Sequence, residues 1–311
     1  MKALITGCQG FIGKNLAQHL KKQGHYVVGI DKKLKVGDPV FVDEFIGHDM
    51  ESRITIDNDF ERVYHLSADV PNSKQVGSAQ LTTGRSNPIQ TIQAMDFAAQ
   101  NNSHFIYAVS AMIYNTDYQG HSGPDLNEDE HIWPAQPAGN IYGMEKLYNM
   151  QLAQEYAKSY HMRISLPIFH AMYGPHCDIF YNSKVVAATC LKILQADDPG
   201  EIEIWGDGTQ IRSFCYIDDL MVGLDKLIEN DIEIPINMGS DEAITMTQLA
   251  DMLIDISGKK IKKKYLPAGP AGCMRRNSDN TKIMKLTGWK PNYPLEQGLK
   301  NTFEYVKSQV K

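Results

Sequence analysis

A tyrosine and a lysine in the segment YGMEK are the first residues whose types and spacing suggest chemistry. Tyr142 and Lys146 are four positions apart, so on a helix they face the same side. A tyrosine is a weak base with a reference pKa of ~10, but a neighbouring ammonium favours its phenolate. Ser110, at the end of a strand-like run, could hold the same substrate oxygen. These three residues predict a site that removes a proton from a substrate hydroxyl.

A glycine-rich turn near the N-terminus predicts the second reactant. TGCQGFIG places Gly7, Gly10 and Gly13 between a strand-like run and a helical pattern. The glycines permit a tight turn and a close backbone approach, and the helix N-terminus favours a pyrophosphate. Asp31 ends the next strand, where its carboxylate can accept hydrogen bonds from ribose hydroxyls and would repel a 2′-phosphate. NAD is therefore predicted rather than NADP, although the two lysines after Asp31 weaken that preference slightly.

A bound NAD would accept the hydride from the carbon whose hydroxyl Tyr142 deprotonates, and its positive ring would also favour the phenolate. Asp49 in GHDM could bond the adenine amine, and HLSA at residues 65–68 could line the cofactor. For both segments the alternative is packing at a strand end. The cofactor residues predicted from these segments, beside Tyr142 and Lys146, are Gly7, Gly10, Phe11, Ile12, Gly13, Asp31, Asp49, Met50, Leu66, Ser67 and Ala68.

Alternating strand and helix patterns must position these residues. The runs KALITG, YVVGID, RVYHLSA, HFIYAVS and RISLPIF are typical of buried strands. Helical patterns follow from Phe11 to Gly24, near Pro88 to Gln100, and through the long segment that begins with YGMEK. This alternation predicts an α/β fold with a doubly wound parallel Rossmann-type sheet and right-handed crossovers.

The pattern becomes less regular after about residue 170, where prolines separate shorter elements. We expect a smaller interleaved α/β substrate lobe there. The predicted division is a Rossmann domain for NAD at residues 1–168, with residues 211–236 returning to it, and a substrate lobe formed mainly by residues 169–311. The crevice at the carboxyl ends of the strands is the expected ligand site.

Bulk composition excludes several classes of protein. The chain has 311 residues, a net charge of −6, 42% hydrophobic and 22% charged residues, which disfavours a nucleic-acid surface. KKIKKK at residues 259–264 is interpreted as a solvated edge. No apolar run of ~18 residues suggests a membrane span, and the first residues lack a signal-peptide layout. Five cysteines without CxxC spacing indicate reduced thiols in a cytoplasm and no metal site.

Four stretches resemble the extended short-chain dehydrogenase/reductase family, and within it the sugar-nucleotide epimerases and dehydratases. They are TGCQGFIG, VSAMIYN with YGMEK, FHAMYGP, and WGDGTQIRSFCYIDD. The resemblance covers essentially the whole chain and is nearest to the GDP-mannose 3,5-epimerase branch, above all in GPAGCMRRNSDNTKIMKLTGW. It implies NAD as cofactor, a nucleoside-diphosphate sugar with a GDP-sugar favoured, a transient 4-keto sugar, and a homodimer formed through two long helices.

Met112 departs from that branch. The branch uses a lysine and a cysteine as proton carriers; the lysine position matches Lys184, and the cysteine position matches Met112. A thioether has no proton to give and no useful basicity. Met112 is compatible with 4-epimerisation, with a single exchange by Lys184, or with a second carrier such as His170, His176 or Cys177. It could also simply fill space against the cofactor.

Other family positions are partly kept. Arg212 and Arg276 match diphosphate-binding arginines, whose planar forks suit two phosphate oxygens. Asn87 matches an asparagine near the cofactor. The family usually has arginine at Ile168 and asparagine at Ala171, so one sugar-diphosphate contact is lost. The resemblance thus implies four catalytic residues, Ser110, Tyr142, Lys146 and Lys184, and five substrate residues, Met112, His170, Lys184, Arg212 and Arg276.

Three functions remain open on the sequence. The first is an NAD-dependent sugar-nucleotide epimerase altered at one proton carrier. The second is a dehydratase, decarboxylase or C4 reductase on the same scaffold. The third is a catalytically silent protein that binds NAD and a sugar nucleotide, which the intact Ser110, Tyr142 and Lys146 oppose.

Overall fold

A parallel sheet with helices on both faces forms the centre of the computed structural model. The structure describes residues 1–32, 34, 39–56, 59–71, 80–137, 141–181, 183–267 and 272–310. The strands are β1 (Lys2–Thr6), β2 (Tyr26–Asp31), β3 (Glu44–Gly47), β4 (Arg62–His65), β5 (His104–Tyr107), β6 (Val109–Ser110), β7 (Ile164–Phe169), β8 (Met172–Tyr173), β9 (Gly200–Trp205), β10 (Ile211–Ser213), β11 (Cys215–Tyr216), β12 (Pro235–Met238), β13 (Ala243–Thr245), β14 (Ile261–Leu266) and β15 (Arg275–Arg276). The helices are α1 (Phe11–Lys22), α2 (Gln80–Gln100), α3 (Ile141–Tyr160), α4 (Val185–Gln195), α5 (Ile217–Glu229), α6 (Met246–Ser257), α7 (Thr281–Thr287) and α8 (Leu295–Gln309).

The central sheet has the order β12-β7-β5-β4-β1-β2-β3, with β6 beside β7, and its strand pairs are parallel. The predicted α/β class and parallel sheet are therefore confirmed. The chain winds in opposite directions from β1 and from β4, so a crevice opens between the carboxyl ends of these two strands. That crevice is where the glycine-rich turn lies.

Both faces of the sheet are buried, which explains the continuous apolar runs of the strands. Leu4 and Ile5 are adjacent in β1 and point to opposite faces. Leu4 belongs to a hydrophobic cluster with residues of α2 and α3, whereas Ile5 belongs to the cluster formed with α1, α4, α5 and α8. One strand thus contributes to both hydrophobic cores.

Three elements differ from the sequence expectations. The short strand β3 was not predicted; it lies at the sheet edge and is only partly buried, so it lacks a clear apolar pattern. HFIYAVS forms two strands, β5 and β6, separated by Ala108. Helix α2 begins at Gln80 and runs through Pro88, where the sequence predicted a start near the proline. Packing of Gly84 against Ile141 of α3 accompanies this longer helix.

Three small sheets lie outside the central sheet, and we call the part of the chain that forms them the smaller lobe. In it β10 pairs with β13 and β15, β8 pairs with β11, and β9 pairs with β14. The β10–β15 pairing sets Arg212 directly opposite Arg276. Between residues 211 and 236, helix α5 packs beside α1 and leads into β12 of the central sheet, whereas β10 stays in the small three-stranded sheet.

Candidate active site

A cavity of about 590 Å³ lies at the carboxyl edge of the sheet. It runs from the glycine-rich turn, past Ser110 and Tyr142, to the two arginines of the smaller lobe. The predicted residues that line it are Gly7, Gly10, Phe11, Ile12, Gly13, Leu66, Ala68, Ser110, Met112, Tyr142, Lys146, His170, Lys184, Arg212 and Arg276. Residues far apart in the chain therefore share one cavity.

The glycine-rich turn has no room for side chains. Gly7 has a φ of 72°, and a Cβ atom there would lie 2.8 Å from the Ser67 amide nitrogen. A Cβ on Gly13 would lie 2.3 Å from the Gly7 carbonyl oxygen. Helix α1 begins after Gly10 without a side-chain cap and without an acidic residue in its first turn. Its first N–H groups and the helix dipole therefore suit a pyrophosphate, and the turn fits a dinucleotide.

Asp31 ends β2 beside this turn. Its Oδ2 accepts a hydrogen bond from the Gln9 amide at 3.0 Å, and its Oδ1 accepts one from the Lys32 amide at 2.8 Å. The Lys32 ammonium lies 3.3 Å from Asp49 and 3.8 Å from Glu51. Two carboxylates thus offset the charge that weakened the NAD prediction. Lys33, the second of these lysines, lies outside the described residues.

Five predicted cofactor residues do not line the cavity: Asp31, Asp49, Met50, Ser67 and Asn87. Met50 is buried in the apolar cluster under the sheet. The Ser67 hydroxyl donates to Gln90 Oε1 at 2.5 Å. The Asn87 amide donates to Glu145 at 2.8 Å and accepts from the Asp69 backbone at 2.7 Å, so it ties α2 to α3 and to the loop after β4.

Ser110, Tyr142 and Lys146 meet at the centre of the cavity. Ser110 ends β6, and Tyr142 and Lys146 lie in the first turns of α3. The Lys146 ammonium donates to the Ala108 carbonyl at 3.0 Å and lies 5.8 Å from the centre of the Tyr142 ring. The helix and the neighbouring strand therefore bring together the three groups that the sequence predicted to act on one hydroxyl.

The electrostatics of Tyr142 differ from the simple expectation. Burial and the charge of Glu145 raise the pKa of Tyr142 above its usual range, and a hydrogen bond with Ser110 only partly opposes this. Burial also lowers the pKa of Lys146, with Glu145 opposing. The protein's own groups therefore favour the phenol, because desolvation and the Glu145 charge outweigh the hydrogen bond from Ser110.

Lys184 lines the cavity and is the N-cap residue of α4. Burial lowers its pKa, and the Asp178 carboxylate opposes that shift. A lysine with a lowered pKa supplies more free amine near neutral pH, which suits a group that takes and returns a proton.

Met112 lies in a 3-10 turn (Ala111–Ile113) directly after β6. Its backbone amide donates to Ser110 Oγ at 3.3 Å. Its sulfur accepts a hydrogen bond from Arg276 Nη1 at 2.9 Å. Met112, at the predicted carrier position, thus contacts both Ser110 and Arg276.

Arg212 and Arg276 lie side by side through the pairing of β10 with β15. Arg212 donates to the carbonyls of Ile211 and Cys273, each at 2.6 Å. Arg276 donates from Nε and Nη2 to Gln119 Oε1 at 2.9 and 2.7 Å. Burial lowers the pKa of Arg212, and the charge of Arg276 contributes. Two adjacent guanidinium groups in one cavity attract a polyanion.

The three suggested replacement carriers are placed differently. His170 follows β7 and lines the cavity, with its pKa lowered to about 4 by burial. Cys177 also lines the cavity, and burial raises the pKa of its thiol to about 12. His176 does not line it; its ring nitrogen bonds Gln18 at 3.0 Å and its ring packs on Phe41.

Sequence reasoning missed three residues that support this site. Gln119 binds Arg276, Glu145 sets the charge beside Tyr142, and Asn237 accepts hydrogen bonds from Tyr114 and His170. Of these three residues, only Asn237 could have been noticed in the sequence, because an asparagine inside an apolar strand such as β12 is unusual. The partner of Gln119 Oε1 is Arg276, which lies 157 positions further along the chain.

The described residues contain neither a cluster of metal ligands nor a membrane-spanning helix. Among residues 1–310, apart from the gaps given above, no three His, Cys, Asp or Glu side chains group as metal ligands. Nor does any helix in the described part of the chain combine the length and apolarity that crossing a bilayer requires.

Comparison with known proteins gives consistent matches. The model of the NAD dependent epimerase/dehydratase family matches residues 3–239. GDP-mannose 3,5-epimerase of Arabidopsis thaliana is 34% identical, covering 100% of this chain and 83% of that protein. UDP-glucuronic acid decarboxylase 5 of Arabidopsis thaliana is 28% identical, covering 96% of this chain and 87% of that protein. The structure of UDP-glucuronic acid 4-epimerase from Bacillus cereus with UDP-glucuronic acid and NAD is 27% identical, with a TM-score of 0.84 and 100% of both chains covered.

Proposed function

This chain belongs to the NAD-dependent epimerase/dehydratase family and is an enzyme that uses NAD, and from that premise we propose that it epimerises a nucleoside-diphosphate sugar, preferably a GDP-sugar, through a transient 4-keto sugar. One observation carries the proposal: Tyr142 and Lys184 line the same cavity. A phenol suits the C4 hydroxyl, and an amine with a lowered pKa suits the acidic proton on a neighbouring carbon.

Oxidation at C4 is assigned to the central residues. Bound NAD would supply the hydride acceptor for C4, and its positive ring would favour the Tyr142 phenolate. Tyr142 then takes the proton of the C4 hydroxyl, while Ser110 donates a hydrogen bond to the same oxygen. The Ser110 oxygen accepts from the Met112 amide, and the Ser110 hydroxyl, which hydrogen-bonds Tyr142 in this structure, can rotate to donate to the substrate oxygen. Lys146 holds the strand end through the Ala108 carbonyl.

Proton exchange is assigned to Lys184. A ketone at C4 makes the protons on C3 and C5 acidic, and the free amine of Lys184 can remove one of them. The lowered pKa of Lys184 supports this role. Inversion needs a proton on the other face of the same carbon, and the protonated Cys177 thiol, which lines the same cavity, is assigned as its donor. Reduction at C4 completes the turnover.

The two arginines are assigned to the diphosphate. Arg212 and Arg276 are neighbours in the strand register and line the end of the cavity away from the glycine-rich turn. Two phosphate groups would offset the repulsion between the two guanidinium groups. Loss of the family asparagine at Ala171 removes one contact and leaves these arginines as the principal anchor.

The first experiment incubates the purified protein with GDP-, UDP- and dTDP-sugars in deuterium oxide and reads the products by NMR and mass spectrometry. Deuterium at C3 or C5 supports epimerisation by enolisation, and an inverted C4 without deuterium identifies a 4-epimerase. A protein that retains NAD but converts no sugar nucleotide would contradict the proposal and support a binding protein without activity.

The Lys184→Ala variant tests the assigned proton carrier. We expect it to lose deuterium exchange at the sugar ring while it binds NAD as tightly as the parent, because Lys184 is assigned to the substrate rather than to NAD. Lys290→Ala, at an exposed position outside the cavity, is the control. Unchanged exchange in Lys184→Ala would remove Lys184 from the mechanism.

A decarboxylase is the second candidate, favoured by the similarity to UDP-glucuronic acid decarboxylase 5. Such a reaction also begins with oxidation at C4, and it needs only one proton donor to replace the lost carboxyl group. Lys184 without a partner at Met112 would suffice. Release of carbon dioxide from a sugar acid nucleotide, in the same panel of substrates, distinguishes this reaction from epimerisation.

Assembly and location are also proposed. We infer a homodimer through α2 and α3, since Leu81, Met144 and Tyr148 expose apolar surface on these helices, with exposed fractions of 85%, 49% and 53%. We infer a cytoplasmic location, since the five cysteines are free thiols. Sedimentation of the purified protein and fractionation of cells check the two inferences.

A further inference from the structure

Met112 joins two parts of the site that lie far apart in the chain. Its backbone amide donates to Ser110 Oγ at 3.3 Å, and its sulfur accepts from Arg276 Nη1 at 2.9 Å. Arg276 lies 164 positions further along the sequence. Ser110, Met112 and Arg276 all line the same cavity. The Met112 sulfur has a defined hydrogen-bond partner there, so it does more than fill space.

The hydrogen bonds of Arg276 within the protein use three of its five guanidinium N–H groups and leave two for a ligand. A guanidinium has five N–H groups. Nε and Nη2 each donate to Gln119 Oε1, and Nη1 donates to Met112. One N–H then remains on each terminal nitrogen. These two N–H groups are the donors that the guanidinium can offer to two oxygens of a phosphate.

Gln119 is itself held rigidly. Its amide nitrogen donates to the carbonyls of Tyr114 and Asn115 at 3.0 and 3.3 Å, which fixes its Oε1 toward Arg276. Gln119 therefore holds one edge of the guanidinium. Met112 holds a second point of the group, Nη1, so all three guanidinium nitrogens have a partner that restrains the group.

We propose that Met112 is a positioning residue that aims the Arg276 guanidinium at the substrate diphosphate and links it to Ser110. The assignment rests on the proposed function, because it takes the diphosphate of a sugar nucleotide as the ligand of Arg276. A hydrogen-bond acceptor thus replaces the proton carrier expected at this position. Anion binding and orientation of the redox serine then depend on one residue.

The test compares two variants of similar length by calorimetry on the NAD-loaded enzyme, with GDP and UDP as probes. Met112→Leu removes the acceptor and keeps the volume, whereas Met112→Gln supplies an amide oxygen in its place. We expect Met112→Leu to weaken binding of the favoured nucleotide about threefold to tenfold, the range for one hydrogen bond to a weak acceptor such as a thioether. Met112→Gln should restore most of that loss, and the Kd for NAD should stay the same in both.

An Arg276→Gln background supplies the second measurement. There Met112→Leu should have no further effect on nucleotide binding, because the partner is gone. In the parent background, KM for the sugar nucleotide should rise in parallel with the Kd for GDP or UDP. If Met112 had only a structural role, Met112→Leu would also weaken NAD binding, and Met112→Gln would not restore nucleotide binding.

Three results would overturn the assignment: nucleotide binding within twofold of the parent in Met112→Leu, equal weakening in Met112→Gln, or the same weakening in the Arg276→Gln background. The nucleotide measurements need no turnover. An enzyme that converts no sugar nucleotide but shows the expected loss and rescue would refute the proposed function and retain the role of Met112.

Discussion

Individual side chains in this site differ in which protonation state the protein favours. Burial raises the pKa of Tyr142 and lowers that of Lys184. Burial therefore keeps the Tyr142 phenol protonated, and the positive nicotinamide ring of bound NAD would be needed to favour its phenolate. The Lys184 amine, in contrast, is already shifted toward its neutral form. Proton exchange on the sugar ring should thus depend on Lys184, and its pH dependence should report the surroundings of that amine.

Asp178→Asn tests those surroundings. The Asp178 carboxylate stabilises the Lys184 ammonium and raises its pKa against the effect of burial. Without that charge the pKa of Lys184 falls further, so the free amine appears at lower pH. We expect the rising limb of the pH profile of deuterium exchange to move toward acid. The change is conservative, because Asp178 Oδ1 accepts from the Phe180 and Tyr181 amides and asparagine keeps that oxygen.

The control for this profile is Asp59→Asn, at an exposed carboxylate outside the cavity. Its profile should match the parent. A profile of Asp178→Asn that stays in place, or moves toward base, would show that another group limits exchange.

Met112→Cys tests whether the site accepts a second proton carrier. The Arg276 guanidinium lies against the Met112 sulfur, and a cation beside a thiol lowers its pKa. We expect the variant to add deuterium at a second ring carbon that the parent leaves unlabelled, as read by NMR of the products. Met112→Ser, which has no acidic thiol, is the matched control. Identical labelling in Met112→Cys and the parent would mean that position 112 does not face the sugar ring.

At the scale of elements, the turn between β1 and α1 is where we propose that the cofactor binds. Helix α1 starts at this turn without a side-chain cap, and three glycines bring the chain close to itself and to the loop after β4. The close contacts are backbone to backbone, so they cannot relax by rotating a side chain. The turn is therefore sensitive to a single methyl group.

Gly13→Ala measures that sensitivity. Its Cβ would meet the Gly7 carbonyl oxygen at 2.3 Å and the Cys8 Cα at 2.8 Å. We expect thermal unfolding to show a loss of about 1–3 kcal/mol in the free energy of unfolding, as for other overpacked positions, and NAD titration to show weaker binding. Gly120→Ala is the matched control, because nothing lies within 4 Å of its Cβ, and it should change stability by less than about 0.5 kcal/mol. Equal effects of the two changes would contradict this account.

At the scale of the whole molecule, the two faces of the sheet have different surroundings. The face with α1 and α5 packs against the smaller lobe, whereas α2 and α3 on the other face expose apolar side chains. Met144 and Tyr148 are four positions apart on α3, so they form one exposed stripe. An apolar stripe of this kind suits a second copy of the chain.

Tyr148→Glu tests the inferred homodimer. A carboxylate in the centre of this stripe should shift the protein from dimer to monomer, as read by light scattering after size-exclusion chromatography. Val222→Glu on α5, which is 49% exposed on the other face, should leave the mass unchanged. A parent that is already monomeric, or a Tyr148→Glu variant that remains dimeric, would contradict the inferred interface.

The sequence by itself determined the features that depend on neighbours within a few residues. Alternating apolar runs predicted the parallel sheet, and glycine spacing after β1 predicted a turn that the structure shows to be too tight for side chains. The spacing of Tyr142 and Lys146 predicted one helical face. The short edge strand β3 was not predicted, because a half-exposed strand shows little alternation of apolar and polar residues.

Only the tertiary structure decided how distant groups act on one another. The pairing of β10 with β15 sets Arg212 beside Arg276, and the fold places Arg276 against the sulfur of Met112. Burial, which no local pattern reports, reverses the expected effect on Tyr142 and lowers the pKa of Lys184. The physical reason is that sequence periodicity encodes backbone geometry over short spans, whereas desolvation and contacts across the cavity depend on which strands pair.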